Sequence, residues 1–334
     1  AVAHGADGLV WFRWRTSRYG QEQYWHGLLQ HDGLPNRRYR EAAQVAYELH
    51  KLSPKIEGSY AKADVAIALS YCDRWAFKIQ PNSEAFNYVD HLMKYYKALA
   101  KHGINIDFVN LYSDDISQYK LLIVPTAYII TKESAAKLDD FAKKGGTVLL
   151  TFRSGVKDEE NIPYDMMLPG LLRDMTGIRI EEYEALNNYA NYRVAWGSKR
   201  YSASVFADWV VPEAATALAH YEETGLNEYA ALTVNNYGDG SVYYVGTFFE
   251  DDEFYDSLIQ NVLQTAQVKT LIMPPRGVEV YTRYKGDTAY AFVMNHNEHS
   301  VGVTVPSSME LISGRSIDAF IEIAAGDVAI LEII

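Results

Sequence analysis

Between residues 64 and 152 short apolar runs alternate with long amphipathic windows, and this alternation restricts the fold more than any single motif does. "DVAIALSY" (64–71), "NIDFVNL" (105–111), "LLIVPTA" (121–127) and "TVLLTF" (147–152) have the length of strands, and their near-continuous apolarity suits burial on both faces. Between them lie two helical windows, "SEAFNYVDHLMKYYKALAKHG" (83–103), ending on Gly103, and "KESAAKLDDFAKKGG" (132–146), ending on paired glycines. Strands joined through helices at this spacing need crossover connections, so the expectation is a parallel, flavodoxin-like α/β sheet. After a long excursion the pattern resumes with a hairpin over 229–248, turned at Gly238-Asp239-Gly240, and a closing helix over 253–268.

The chain on either side reads differently. Residues 8–14 look like a buried strand, followed by a polar, aromatic loop from 15 to about 35 and then a helix in "NRRYREAAQVAYELHKL", with Asn36 as its N-cap. One strand, one loop and one helix make a single β/α unit, which cannot bury both faces of its strand and must complete a sheet or barrel supplied by other chain. His4-Gly5 reads as a helix C-cap feeding that strand, so the start has the look of mid-domain sequence and of a fragment or processed product. "SPKIEGSYAKA" (53–63) has the composition of a linker, and "MPPRG" (273–277) marks a second boundary. Beyond it "VEVYTRYKG", "TAYAFVMNHN", "SVGVTVP", "MELISG" and "VAILEII" are separated by turn residues, which predicts a small antiparallel β domain. The domains expected are therefore 1–55, 60–272 and 273–334.

Composition removes whole classes of function. A net charge of -12 repels nucleic acid, and no apolar run approaches the roughly 18 residues that span a bilayer. The single cysteine, Cys72, excludes an internal disulfide framework and a thiolate-rich zinc site. No cofactor is expected; a cytoplasmic location is favoured, although the cysteine count leaves the compartment open.

The densest chemistry lies in "FRWRTSRYGQEQYWHG" (12–27). Glu22 and His26 are four apart, so a helical turn would bring them onto one face, beside Trp14 or Trp25, to hydrogen-bond a polyhydroxylated ligand. The loop after a strand's C-terminal end faces the ligand in parallel β/α folds, which favours that reading over a solvated loop. A glycosidase needs two carboxylates, and of the acids in this unit only Glu22 is well placed. At the turn after "GGTVLLT", Phe152-Arg153-Ser154-Gly155 offers Ser154 as the one nucleophile of an amidotransferase-like elbow, with no histidine nearby in sequence. Cys72 reads as a semi-buried structural residue. The acidic stretches 181–193 and 250–254 lack the spacing of a calcium loop, and His296 and His299 suit turn hydrogen bonding better than a metal.

These segments together resemble family 42 glycoside hydrolases, the bacterial β-galactosidases. "HGADGLVWFRWRTSRYGQEQYWHGLLQHDG" is similar to the last strand and loop of that family's catalytic TIM barrel, and "RRYREAAQVAYEL" to its last helix. "GGTVLLTFRSGVKDEENI" with "PGLLRDMTGI" resembles its middle, class I glutamine amidotransferase-like domain, associated with trimer formation, and "PPRGVEVYTRYKGDTAYAFVMNHNEHSVGVTVP" its C-terminal β domain. The resemblance implies hydrolysis of terminal β-galactosides with retention by two glutamates after barrel strands four and seven, both upstream of this sequence. It implies a homotrimer, with the excursion from about 156 to 225 as a subunit contact. It also places a glutamate and a histidine after the last strand as holders of galactose hydroxyls, matched by Glu22 and His26 with Trp14 alongside; family members set the two three apart, so Gln23 is the other equivalent and charge favours Glu22. The chain alone is expected to be inactive. The alternative is a non-catalytic oligomerisation or sugar-binding module.

Overall fold

The computed structural model describes residues 1–186 and 191–334, so part of the acidic stretch 181–193 lies outside the described residues. In chain order the elements are α1 (Arg37–Ile56), β1 (Tyr60–Ala61), β2 (Val65–Ala68), α2 (Tyr71–Ile79), α3 (Tyr88–Ala100), β3 (Ile106–Val109), β4 (Leu121–Val124), α4 (Lys132–Lys143), β5 (Thr147–Thr151), α5 (Arg173–Thr176), β6 (Ile178–Ala185), β7 (Tyr192–Trp196), β8 (Lys199–Pro212), β9 (Thr216–Tyr221), β10 (Ala230–Tyr237), β11 (Gly240–Val245), β12 (Thr247–Phe249), α6 (Asp252–Thr265), β13 (Val278–Lys285), β14 (Thr288–Asn295), β15 (Val301–Thr304), β16 (Ser308–Glu310), β17 (Arg315–Ile317), β18 (Phe320–Ile323) and β19 (Val328–Ile333). They divide into two compact units, residues 63–270 and residues 1–62 with 271–334.

The larger unit is built on one mixed sheet. Its parallel part runs β3-β2-β4-β5-β11, with Val65 opposite both Ile106 and Leu121, and Thr147 opposite both Leu121 and Ser241. Alternate residues face opposite layers. Val65, Ile67, Ile123 and Leu149 pack with Leu92, Leu99, Ile259 and Val262 of α3 and α6, whereas Ala66, Leu122, Val148 and Leu150 pack with Leu138 and Phe141 of α4. Each such large side chain, fully withdrawn from water, contributes roughly 2 kcal/mol. β10 and β11 form the expected hairpin; Gly238 takes φ 61° there, and a Cβ would come within 2.5 Å of the Lys143 backbone. The sheet then continues antiparallel through β9, β7 and β8, with β6 and β12 on β8. The excursion between 156 and 225 is therefore largely a set of strands extending the same sheet, so a purely parallel sheet is too narrow a description.

Two helices depart from the sequence reading. α2 falls between the first expected strand and the first helical window, where no helix was read, and its N-cap is Ser70, whose side chain accepts from the Asp73 N–H. α1 runs on past Pro54 to Ile56; proline denies the His50 carbonyl its helical donor, and the Ser53 hydroxyl donates to it instead, 3.0 Å away.

In the smaller unit the antiparallel sheet β1-β13-β14-β19-β16-β17 and the pair β15-β18 enclose Val280, Val293, Val303, Ile321 and Leu331. α1 packs Leu52 and Ile56 against Tyr281, Tyr290, Phe292 and Ile330. Arg283 of β13 is withdrawn from water and spends its guanidinium on Val2 O, Ala6 O, Asp7 Oδ1 and both oxygens of Ser59. Residues 2–4 form a short 3-10 turn closed by Gly5 at φ 103°, so the helix-end reading of His4-Gly5 survives as one turn. The strand expected over residues 8–14 is not formed. Val10 is 99% exposed and Phe12 73%, because no described strand lies beside this segment to pair its backbone.

Candidate functional site

After the extended segment the chain folds back on itself. Leu28 N–H donates to Arg13 O and Leu29 N–H to Trp14 O, both at 2.8 Å, while Thr16 N–H donates to Leu29 O. Gly27 has to be glycine, since a Cβ would lie 2.6 Å from the Arg15 carbonyl carbon and 2.7 Å from Thr16 N. The Thr16 hydroxyl donates to Leu29 O and accepts from Gly27 N–H, closing the base of the loop. Within it Gln21–Tyr24 make one 3-10 turn, entered through Gly20 at φ 76°.

That turn changes the geometry expected of the two named residues. It ends at Tyr24, and Trp25 is already extended (φ -84°, ψ 110°), so His26 does not share a helical face with Glu22. Glu22 instead receives Arg13 Nη1 at 2.7 Å. Arg15 reaches the His31 carbonyl at 3.0 Å, and the His31 ring contacts Gln23 O at 3.0 Å. His26 is exposed, and no hydrogen bond within the described residues engages its ring. Trp14, 61% exposed, packs edge-on to Tyr39 of α1 with ring centroids 5.9 Å apart. Arg13, Arg15 and His31 were not singled out from sequence, although the density of basic residues around Glu22 was a usable signal. The loop therefore offers a carboxylate, an amide, an imidazole and indole faces to solvent, and among the described residues no second carboxylate joins the Glu22–Arg13 pair. Such a surface can hold hydroxyl groups and lacks a general acid–base pair.

At the C-terminal ends of the parallel strands, where α/β sheets bind ligands, a narrow cavity of about 10 Å³, room for about one water, is lined by Leu69, Asp73, Tyr88, Tyr112 and Pro125. Phe77, Phe86, Phe152, Phe206, Tyr128 and His91 interlock there, with Phe77 stacked on Tyr128 at 4.5 Å. At the turn after β5 the strained position belongs to Arg153 (φ 61°), one residue before the serine that the sequence offered. Ser154 is fully buried, donates to Thr151 O at 2.7 Å and accepts from Ala127 N–H, so its hydroxyl is committed to the backbone and is no nucleophile. The Arg153 guanidinium lies over the rings of Tyr183 (4.0 Å) and Phe206 (4.8 Å), and its backbone N–H donates to Asp208.

Burial also decides the ionisation of this region. The carboxyl of Asp73 is pushed up to about 7 by desolvation, although Ile129 N–H donates to it at 2.7 Å. Asp208 is raised for the same reason, despite accepting from Tyr244 OH at 2.7 Å. His91, wholly enclosed, is pushed down to about 3, and its Nε2 meets the Thr151 hydroxyl at 3.2 Å. Cys72, expected to be semi-buried, is exposed on α2.

Several carboxylates of the two acidic stretches have partners. Asp252 pairs with Lys94, Glu253 with Lys199 and Glu181 with Arg179, while Asp251 accepts from Ser202 N–H. His296 and His4 flank Glu279 at 3.0 and 3.2 Å, and the His299 carbonyl accepts from Asn295. Among the described residues no group of three or more His, Cys, Asp or Glu side chains is arranged to hold a metal ion, and no helix is long and apolar enough to cross a membrane.

Comparison with known proteins matches three family descriptions along the chain. These are β-galactosidase over residues 1–52, the β-galactosidase trimerisation domain over 63–269 and the β-galactosidase C-terminal domain over 264–332. The β-galactosidase BgaH of Haloferax lucentense is 36% identical over 321 residues, covering 96% of this chain and 47% of that protein. LacZ of Heyndrickxia coagulans is 32% identical over 340 residues, covering 100% and 50%. Among solved structures, the β-galactosidase of Bacillus circulans sp. alkalophilus superposes with a TM-score of 0.95 at 34% identity, over 100% of this chain and 50% of that one. The chain thus spans about half the length of the curated relatives it matches.

Proposed function

The chain belongs to the β-galactosidases of glycoside hydrolase family 42, whose C-terminal half it represents, and from that membership we propose what it does within a complete enzyme. The complete enzyme hydrolyses terminal non-reducing β-D-galactosides with retention. Residues 1–55 supply the last β/α unit of its barrel, residues 60–272 a flavodoxin-like, amidotransferase-like assembly domain and residues 273–334 a β domain. The strand order β3-β2-β4-β5-β11 supports the middle assignment, since it is the 2-1-3-4-5 order of flavodoxin-like sheets. Glu22, His26 and Trp14 form one wall of the galactose site, with the two catalytic glutamates contributed by the preceding part of the barrel. The observation that carries this reading is the run of three matched regions in one chain, joined to a loop that presents hydroxyl-binding groups without a carboxylate pair.

The isolated chain should not release nitrophenol from a nitrophenyl β-galactoside. Mixed with a polypeptide carrying the rest of the barrel it should restore turnover, and Glu22→Ala should then raise KM and lower kcat. Activity in the isolated chain, or complementation indifferent to Glu22→Ala, overturns the reading.

The middle domain assembles a homotrimer. Tyr71, Trp75 and Ile79 stand on one face of α2, four residues apart and 57–76% exposed, and Ile162, Met166 and Met167 of the 156–225 stretch are about half exposed. Exposed Trp, Tyr and Met of this kind are the residues that protein interfaces favour. Light scattering should give a trimer mass for the wild type and a smaller one for Trp75→Asp; a wild type that stays monomeric sinks the assembly role. A cytoplasmic location goes with this reading, and cell fractionation checks it.

A further inference from the structure

The β7–β8 hairpin and helix α6 border an open cleft of about 400 Å³ that the galactosidase reading leaves unused. On α6, Ser257, Gln260, Asn261 and Gln264 are three or four residues apart and line its wall. From Ser257 to Gln264 the helix carries no charged residue, in a chain 22% charged. Opposite them is Trp196, half-buried, with Phe254 packed on it at a centroid distance of 5.8 Å. Lys199 brings the cleft a cation, but Glu253 neutralises it at 2.7 Å, and Ser257 Oγ lies 3.2 Å from its Nζ. Tyr201 OH also points to Ser257 Oγ, and Asn261 Oδ1 accepts from Tyr243 OH, which leaves the Asn261 amide nitrogen as a donor. Among the described residues no hydrogen bond satisfies the side-chain amides of Gln260 and Gln264 or the indole N–H of Trp196.

An indole beside amides that both donate and accept, with no uncompensated charge, fits one ligand chemistry. Sugar rings have apolar C–H faces for the indole and hydroxyls that match amide oxygens and N–H groups. An apolar ligand would strand the amides, and an anion would find no free cation. We propose that this cleft binds a neutral saccharide, as a site built from residues other than those of the galactose-holding loop.

Native gel electrophoresis of the chain through gels containing neutral β-1,4-galactan, anionic polygalacturonate or no polymer tests this. The wild type should be retarded by galactan alone. Trp196→Ala should weaken its apparent affinity at least about tenfold, and Gln260→Ala/Gln264→Ala, on an exposed helix face, should weaken it comparably without touching the core. Glu22→Ala should be retarded like the wild type, which separates this site from the galactose loop and lets either fail alone. A wild type that galactan does not retard, or retardation that survives both the Trp196 and the glutamine variants, overturns the proposal. So does a Trp196→Ala protein that changes mass by light scattering yet keeps its retardation, because the cleft would then be a contact between copies.

Discussion

The loop at residues 13–33 and the strand-end cluster of the middle unit hold similar kinds of side chain in opposite circumstances. Both contain arginine, histidine, a carboxylate and several aromatic rings. In the loop Glu22 stays 61% exposed beside Arg13, whereas in the cluster Asp208, Arg153 and His91 are almost wholly enclosed. Enclosure moves His91 down and Asp73 and Asp208 up, toward their neutral forms. The same residue types thus present polar groups to solvent where water reaches them and serve as packing material where it does not. Position at a strand's C-terminal end is common to both regions in the sequence reading, and solvent access separates them.

The contrast is sharpest in stability. Phe206→Ala removes a ring that touches Phe77, Phe86, Phe152 and the Arg153 guanidinium, and should cost about 3–5 kcal/mol by urea denaturation. Trp11→Ala, at a side chain already half exposed, should cost under about 0.5 kcal/mol; equal costs would erase the distinction between the regions.

A smaller effect tests the enclosed carboxyl. Asp73 holds its proton when folded up to about pH 7, while the unfolded chain loses it near its ordinary 3.8. Between those values the native state binds more protons, so the contribution of Asp73 to stability is full below about 3.8 and falls as pH rises toward 7. Asp73→Asn should remove that slope, gaining on the wild type by at most about 1.4 kcal/mol per pH unit across the window. A stability difference constant from pH 4 to 7 would mean that the carboxyl is ionised throughout.

A further small effect belongs to the loop. Glu22→Gln breaks an exposed ion pair and should cost under about 1 kcal/mol, fading with added salt. A salt-independent loss of several kcal/mol would make the loop a structural element rather than a solvated surface.

Much of the architecture was readable in the pattern. β2, β4 and β5 follow their apolar runs, and α3, α4 and α6 their helical windows, because continuous apolarity and the helical period dictate which faces must leave water. β6 to β9 were harder, since they extend a sheet begun by distant residues and their partners are fixed by tertiary pairing. α2 carried readable signs in Ser70, three residues before Asp73, and in Tyr71, Trp75 and Ile79 at four-residue spacing, but nine residues make a short window between a strand and a longer helix. The segment 8–14 failed in the other direction, its β-like sequence having no described strand beside it beyond the contacts of Arg13 and Trp14 with Leu28 and Leu29.

By itself, the sequence determined the layered middle sheet, the antiparallel C-terminal domain and the concentration of charged and aromatic side chains near Glu22. These follow from local periodicity and residue chemistry, which need no knowledge of distant contacts. Only the tertiary structure decided that Arg153, rather than Ser154, occupies the strained turn, that Glu22 and His26 do not share a helical face, and that Trp196 looks across at the amides of α6. Each depends on backbone angles or on segments far apart in the chain, and burial, which sets the charge state of Asp73 and His91, exists only once those segments have met.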